Sequence, residues 1–317
     1  MLDEQGLAAL ALTSRLVEST AKPLSAREFW SLRRQVEPSS LRGMTADEIA
    51  TELAVGTEDG ERIATLFDRG AGLAIALERL NHSGTWTVTC VDADYPARLR
   101  RRLGDNAPAV LHGVGDATLL ATDGVGVVGS RNVTQEGSQV AADIAHTAVK
   151  LGFPVVSGAA RGVDQSAMNG AFEVGGQVVG ILADSLERTV ARPRIRRGVV
   201  NGQICLITPY SPSAPFSVGN AMGRNKIIYG LAVCTIVVAT DRKTGGTWGG
   251  ATEALKNKFG RVAAWTGSGA AAGNGALIDL GAQELSDTAA LDRLLSADDD
   301  PAPADKKPLG DQLSFGF

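Results

Sequence analysis

Gly124-Val125-Gly126-Val127-Val128-Gly129-Ser130-Arg131 is the stretch that decides the fold. Its valines make a nearly continuous β-branched run, the pattern of a strand buried on both faces. The run ends in a small-residue turn, and Gln135 to Leu151 beyond it is an amphipathic helix by its apolar spacing. Strand, glycine turn and helix together make one unit of a parallel α/β sheet. The unit repeats downstream. Pro154–Val156 reads as a strand and Val163 to Val174 as its helix. Val178–Leu182, Ile204–Ile207, Thr235–Ala239 and Val262–Trp265 read as further strands. Arg224–Leu231, Thr247–Phe259 and Gly275–Leu280 supply helices. This alternation predicts a doubly wound parallel sheet over residues 85–295.

Upstream the period changes. Ala8–Val17, Ala26–Glu37, Ala46–Leu53, Gly60–Asp68 and Leu73–Leu80 carry apolar residues three and four apart, with Ser25, Thr45 and Glu58-Asp59 as candidate caps. Residues 1–84 therefore read as a small helical domain, either a nucleic-acid or partner module or plain packing. Thr85 to Val91 alternates and predicts a strand. From residue 296 the chain turns to aspartate, proline and lysine, the composition of a disordered acidic tail, before the apolar peptide Gln312 to Phe317.

The totals narrow the class. Glycine at 38 residues with 5% aromatics suits an α/β protein rich in tight turns. The formal charge of −4 hides its distribution, because residues 297–317 hold five aspartates against two lysines. The remainder is close to neutral, and Arg188, Arg192, Arg194, Arg196 and Arg197 crowd one stretch of it. A local basic face fits; a uniformly basic coat does not. Cys90, Cys205 and Cys234 are far apart and in or beside apolar runs, as expected of reduced cytoplasmic thiols. Neither they nor His82, His112 and His146 have the spacing of a metal site. No basic leader or bilayer-length apolar run stands out, so the expectation is a soluble cytoplasmic protein without cofactor.

Four turns at strand ends carry the chemistry: Gly129-Ser130-Arg131, Ser157-Gly158 through Arg161-Gly162, Gly223-Arg224-Asn225-Lys226, and Gly245-Gly246-Thr247. At a strand-to-helix turn, free backbone N–H groups and the helix dipole favour an anion. Glycine admits a phosphate close to the backbone and arginine grips it with a planar fork. Arg131, Arg161, Arg224 and Lys226 are thus candidate phosphate ligands, with Ser130, Ser157, Gly158, Gly162, Gly246 and Thr247 as donors. The alternative for the arginines is a structural salt bridge across the sheet edge. Asp164 repels phosphate, and is expected to cap its helix or orient Arg161. Thr247 is expected to cap the helix it opens. Trp248 could stack on a base or simply pack. The literal GxGxxG from Gly124 to Gly129 is not a dinucleotide fingerprint, because its first glycines fall within the strand and Ser157 stands where a ribose-binding acid belongs.

Taken in order, these pieces resemble the Rossmann-like core of the DNA-processing protein A (DprA, or Smf) family. The resemblance rests on Asp94-Tyr95-Pro96-Ala97-Arg98-Leu99, Ala107 to Gly113, Val127 to Arg131 with Thr134 and Gly137, Val156 to Asp164, Arg224 to Ile228, and Leu277 to Ala282. It implies a homodimer that binds single-stranded DNA and loads a RecA-type recombinase, with no accepted catalytic activity. Three departures are visible. Met168 stands where the family usually has histidine, Lys226 replaces the last arginine of an Arg-Asn-Arg triplet, and no winged-helix pattern follows the core. Gln312 to Phe317 looks like the short peptides that dock on the bacterial sliding clamp.

Two other functions stay open at this stage. One is a nucleotide-binding sensor or N-glycosidase-like enzyme, for which Glu253 is the nearest carboxylate; the other is an antitoxin or phage-defence partner protein with the sheet as scaffold.

Overall fold

The computed structural model describes residues 2–296; the acidic tail and its Gln312 to Phe317 peptide lie outside the described residues. Five helices come first: α1 (Glu4–Thr13), α2 (Ala26–Gln35), α3 (Ala46–Leu53), α4 (Thr57–Phe67) and α5 (Gly70–His82). Ser25 and Thr45 close capping boxes with Glu28 and Glu48, as their sequence positions signalled. Glu58-Asp59 does not cap α4. That role falls to Gly56, and the two acids sit in the first turn, where the helix dipole favours them.

The strands are β1 (Trp86–Thr89), β2 (Val110–Val114), β3 (Val125–Gly129), β4 (Val155–Ser157), β5 (Val178–Ile181), β6 (Ile204–Thr208), β7 (Cys234–Ala239), β8 (Arg261–Trp265) and β9 (Gln283–Leu285). They form one sheet in the order β1-β2-β6-β5-β4-β3-β7-β8-β9. From β6 to β9 all neighbours are parallel, while β2 joins β6 antiparallel and β1 joins β2 antiparallel. The sheet is therefore mixed at one edge. The helices of this part are α6 (Ala97–Leu103), α7 (Gln135–Lys150), α8 (Val163–Glu173), α9 (Leu186–Val190), α10 (Pro193–Val200), α11 (Val218–Leu231), α12 (Gly245–Asn257), α13 (Asn274–Asp279) and α14 (Leu291–Ser296).

Alternation along β3 assigns the two layers. Val125 and Val127 bury against Ile144 and Ala145 of α7 and Val163 and Ala167 of α8. Val128 belongs to the opposite face, in an apolar cluster with Ile227 and Ile228 of α11. That cluster continues without a break into Leu12, Phe29, Leu32 and Ile63 of the first helices. Each such side chain contributes about 1.5–3 kcal/mol on burial. Trp30 ties the helical segment to the sheet further: its Nε1–H donates to Ala107 O at 2.8 Å, and the Arg100 guanidinium lies 3.5 Å from its ring centroid.

Strand order reverses at β3. The chain runs outward from β3 through β4 and β5 to β6, then returns through α11 to β7 on the other side of β3. Loops leaving β3 and β7 part in opposite directions, and a crevice opens at their carboxyl ends.

Candidate nucleic-acid interface

A cleft of about 520 Å³ occupies that crevice, lined by Ser130, Arg131 and Asn132 after β3, Thr240 and Asp241 after β7, and the first turn of α12. Met222, Arg224 and Asn225 of α11 form its third wall, and Phe216, from the loop before α11, stands over the entrance.

The first two glycine turns meet. Gly162 takes φ +88°, and a β-carbon there would collide with the carbonyl oxygen of Ser130. Val163 N–H donates to that same oxygen at 3.3 Å. Arg161 is exposed and does not itself line the cleft; it donates to Asn132 Oδ1 at 2.8 Å and so bridges the turns. Arg131 is exposed too, with its guanidinium 5.1 Å from the centroid of the Phe216 ring. Ser130 Oγ accepts the Asn132 N–H at 3.2 Å and keeps its own proton for a ligand.

Asp164 does something else than expected. It is buried beneath the turns, where the backbone amides of Gly129, Gly158 and Ala160 favour its charged form, while Arg161 donates elsewhere, to Asn132. Burial raises its pKa above the usual carboxylate value, against the pull of neighbouring Arg224 and of those three amides. The amides of Gly129 and Gly158 thus have a buried carboxyl group as a neighbour. The Ser157 hydroxyl is also engaged, donating to Val127 O at 2.6 Å with the residue fully buried.

The expected turn at Gly223-Arg224-Asn225-Lys226 is instead the middle of helix α11, which begins at Val218 with Ser217 as its cap. The helix splits these residues among different surroundings. Asn225 lines the cleft and donates to Gly246 O at 3.2 Å. Arg224 points inward at 4% exposure and donates to the carbonyl oxygens of Gly158 and Ile181, with burial lowering its pKa. Gly223 and Lys226 line a different cavity, and Lys226 pairs with Glu253 at 3.0 Å.

Gly245-Gly246-Thr247 is the first turn of α12 rather than a preceding turn. Its cap position is Thr244, not Thr247, and Thr244 makes no side-chain capping bond. The first-turn amides thus lack intrahelical acceptors, and the positive end of the dipole opens on the cleft. Trp248 packs half-buried against the main core. None of the arginines between 188 and 197 lines the cleft.

Sequence reasoning missed Phe216. It lies in the run Ser211-Pro212-Ser213-Ala214-Pro215-Phe216 and is 48% exposed, so an aromatic stranded in a proline–serine loop was the available signal.

The fold and cleft define a Rossmann-like protein with a crevice at its topological switch point, edged by an exposed arginine and an uncapped helix N-terminus. Comparison with known proteins narrows the class. The model of the DNA recombination-mediator protein A family matches residues 86–295, and the chain belongs to that family. Protein Smf of Synechocystis sp. is 29% identical over 191 residues, which are 58% of this chain and 46% of that protein. The DNA processing protein DprA of Bacillus subtilis is 26% identical over 243 residues, 75% of this chain and 78% of that one. This chain thus spans less than half the length of the first relative and more than three quarters of the second. Among solved structures, DNA processing protein A of Streptococcus pneumoniae superposes with a TM-score of 0.68 at 21% identity, covering 92% of this chain and 98% of that chain. The Helicobacter pylori protein, solved for its single-stranded DNA binding mode, gives a TM-score of 0.54 at 21% identity over 67% and 95% of the two chains. These superpositions establish the fold.

Proposed function

We propose that the switch-point cleft holds the sugar–phosphate backbone of single-stranded DNA, and that the protein serves as a recombination mediator rather than an enzyme. The arrangement of the cleft carries this reading: a hydroxyl and an exposed arginine after β3 face the uncapped N-terminus of α12 across one crevice, with an exposed aromatic at the mouth. On this reading Arg131 and Arg161 grip phosphates, while Ser130 and the amides of Gly246 and Thr247 donate to them. Phe216 offers its face to a base. Arg224 and Asp164 fix the floor of the cleft instead of touching the strand. Family membership adds weight, as does the binding mode described for the Helicobacter pylori relative.

The finer attributes follow the same family logic as proposals: a homodimer working in the cytoplasm, which hands the strand to a RecA-type recombinase. Docking of Gln312 to Phe317 on a sliding clamp is a separate proposal; deletion of residues 309–317 should abolish clamp binding, and unchanged affinity ends the idea. A glycosidic-bond-cleaving role has lost its candidate acid, because Glu253 pairs with Lys226 and does not line the cleft.

Titration of labelled single- and double-stranded oligonucleotides at several salt concentrations tests the main proposal. It expects preference for the single strand and a linear fall of log affinity with log salt. Absence of salt-dependent binding rejects it.

A further inference from the structure

A second cavity of about 450 Å³ lies beside the cleft, on the other side of α11. Ala221, Met222 and Asn225 face the cleft, while Gly223, Lys226 and Ile227 face the second cavity, as three- and four-residue helical spacing requires. Its far wall is the loop between α1 and α2, around residues 13–27, and the start of β2.

The chemistry of this cavity is one-sided. Arg15, Lys22, Arg27 and Lys226 line it, and among the described residues no aspartate or glutamate does. Lys226 is held by Glu253 and Arg27 donates to Asn106 Oδ1 at 3.1 Å. The side chains of Arg15 and Lys22 have no partner among the described residues and stand exposed at its edge. His112, only 3% exposed, faces the same space with Nδ1 2.9 Å from the Thr87 hydroxyl. When Thr87 donates to Nδ1, the ring presents its Nε2–H as one more donor. Burial pushes the His112 pKa down to about 4, so the imidazole is neutral and adds no charge needing compensation.

Gly223, on the second-cavity side of α11, has no side chain of its own and carries the Tyr210 hydroxyl against its backbone. A side chain there would run into the Tyr210 hydroxyl, which donates to Asn220 O at 2.8 Å and also borders the second cavity. Helix α11 is about 10–12 Å across, a width that a few nucleotides of an unpaired strand bridge.

We infer that the second cavity receives phosphate groups of the same strand after it crosses α11 at Gly223, so that long strands engage both spaces and short ones the cleft alone. This rests on the function proposed for the cleft. The shared chemistry is a phosphate ester; its other source would be a free nucleotide.

The test uses the full chain and its Arg15→Glu/Lys22→Glu variant, with labelled oligothymidines of roughly four and roughly sixteen nucleotides. The long strand should lose at least about tenfold in affinity, and its salt slope should shrink by about 1.4, two contacts of about 0.7 each. The short strand should bind both proteins equally. An unchanged long-strand isotherm overturns the inference, and so does an equal loss at both lengths, which signals diffuse attraction. Calorimetric binding of thymidine monophosphate that the variant loses, with the long strand unaffected, overturns it in favour of a free nucleotide. Arg131→Ala, run in parallel, separates the two levels. If it weakens both lengths while the double variant weakens neither, only the second cavity is misassigned. If wild-type protein binds neither strand, the cleft reading itself fails.

Discussion

Arg224 and Gly158 share one corner of the molecule so closely that a β-carbon on the glycine would fall within the guanidinium. Nη1 of Arg224 donates to the carbonyl oxygens of Gly158 and Ile181, the latter at 2.7 Å, and Asp164 Oδ2 borders the same spot. One side chain of α11 thus ties the ends of β4 and β5 together behind the cleft. Arg224→Ala strips two buried carbonyls of their donor and removes the positive neighbour of Asp164. A loss of about 3 kcal/mol in urea unfolding is expected. Gly158→Ala should cost about 1–3 kcal/mol by forcing the guanidinium aside. Were Arg224→Ala to reduce DNA affinity at unchanged stability, the arginine would be a ligand after all.

Arg131 is the converse case, exposed and without a carboxylate partner among the described residues. Arg131→Ala should leave the unfolding midpoint unchanged. It should weaken single-strand binding more than tenfold, about 1.4 kcal/mol, and reduce the salt slope by about 0.7 because one phosphate is no longer neutralised. Affinity and slope together are the readout. Weaker binding at an unchanged slope points to packing or base stacking instead.

Much of this architecture was legible because strands buried on both faces are written as unbroken apolar runs, as in Val125–Val128 and Thr235–Ala239. The strand β9, Gln283–Leu285, has no such run; its first two residues are half-buried and exposed, so no periodicity announces it. Gly223 reads as part of a turn since glycine costs about 1 kcal/mol in a helix. Packing overrides that cost, because Tyr210 fills the place beside Gly223 where a side chain would stand. The direction in which a cation points depends on neighbours far away in the chain. Arg131 and Arg224 look equivalent as turn arginines, yet one meets solvent and the other the carbonyl of Ile181.

Phe216 is 48% exposed beneath the Arg131 guanidinium, and contributes little to the core. Its removal should therefore be silent in thermal unfolding. If a base stacks on it, Phe216→Ala weakens oligonucleotide binding by about 1–3 kcal/mol. The salt slope should stay intact, since every phosphate keeps its cation. Phe216→Trp should retain affinity and report binding by quenching of its fluorescence. A wild-type isotherm for Phe216→Ala removes the residue from the interface.

His112 makes folding sensitive to mild acid. Its pKa falls from an ordinary value of 6.5 to about 4 on burial in β2. A histidine depressed in this way binds its proton more weakly in the folded protein than in the unfolded chain. Its contribution is fully present above pH 6.5 or so and is lost as the pH falls toward 4. Between about pH 7.5 and about pH 5 the loss should reach about 2 kcal/mol. Carboxylates with lowered values, such as Glu28 and Asp116, act in the same direction but titrate further down. Urea unfolding of wild type and His112→Asn at both pH values isolates the effect of the imidazole, because the comparison is of slopes and tolerates a destabilised variant. The wild type should lose about 2 kcal/mol more than the variant over this interval. Equal losses would show that His112 reaches solvent and protonates freely in the folded protein.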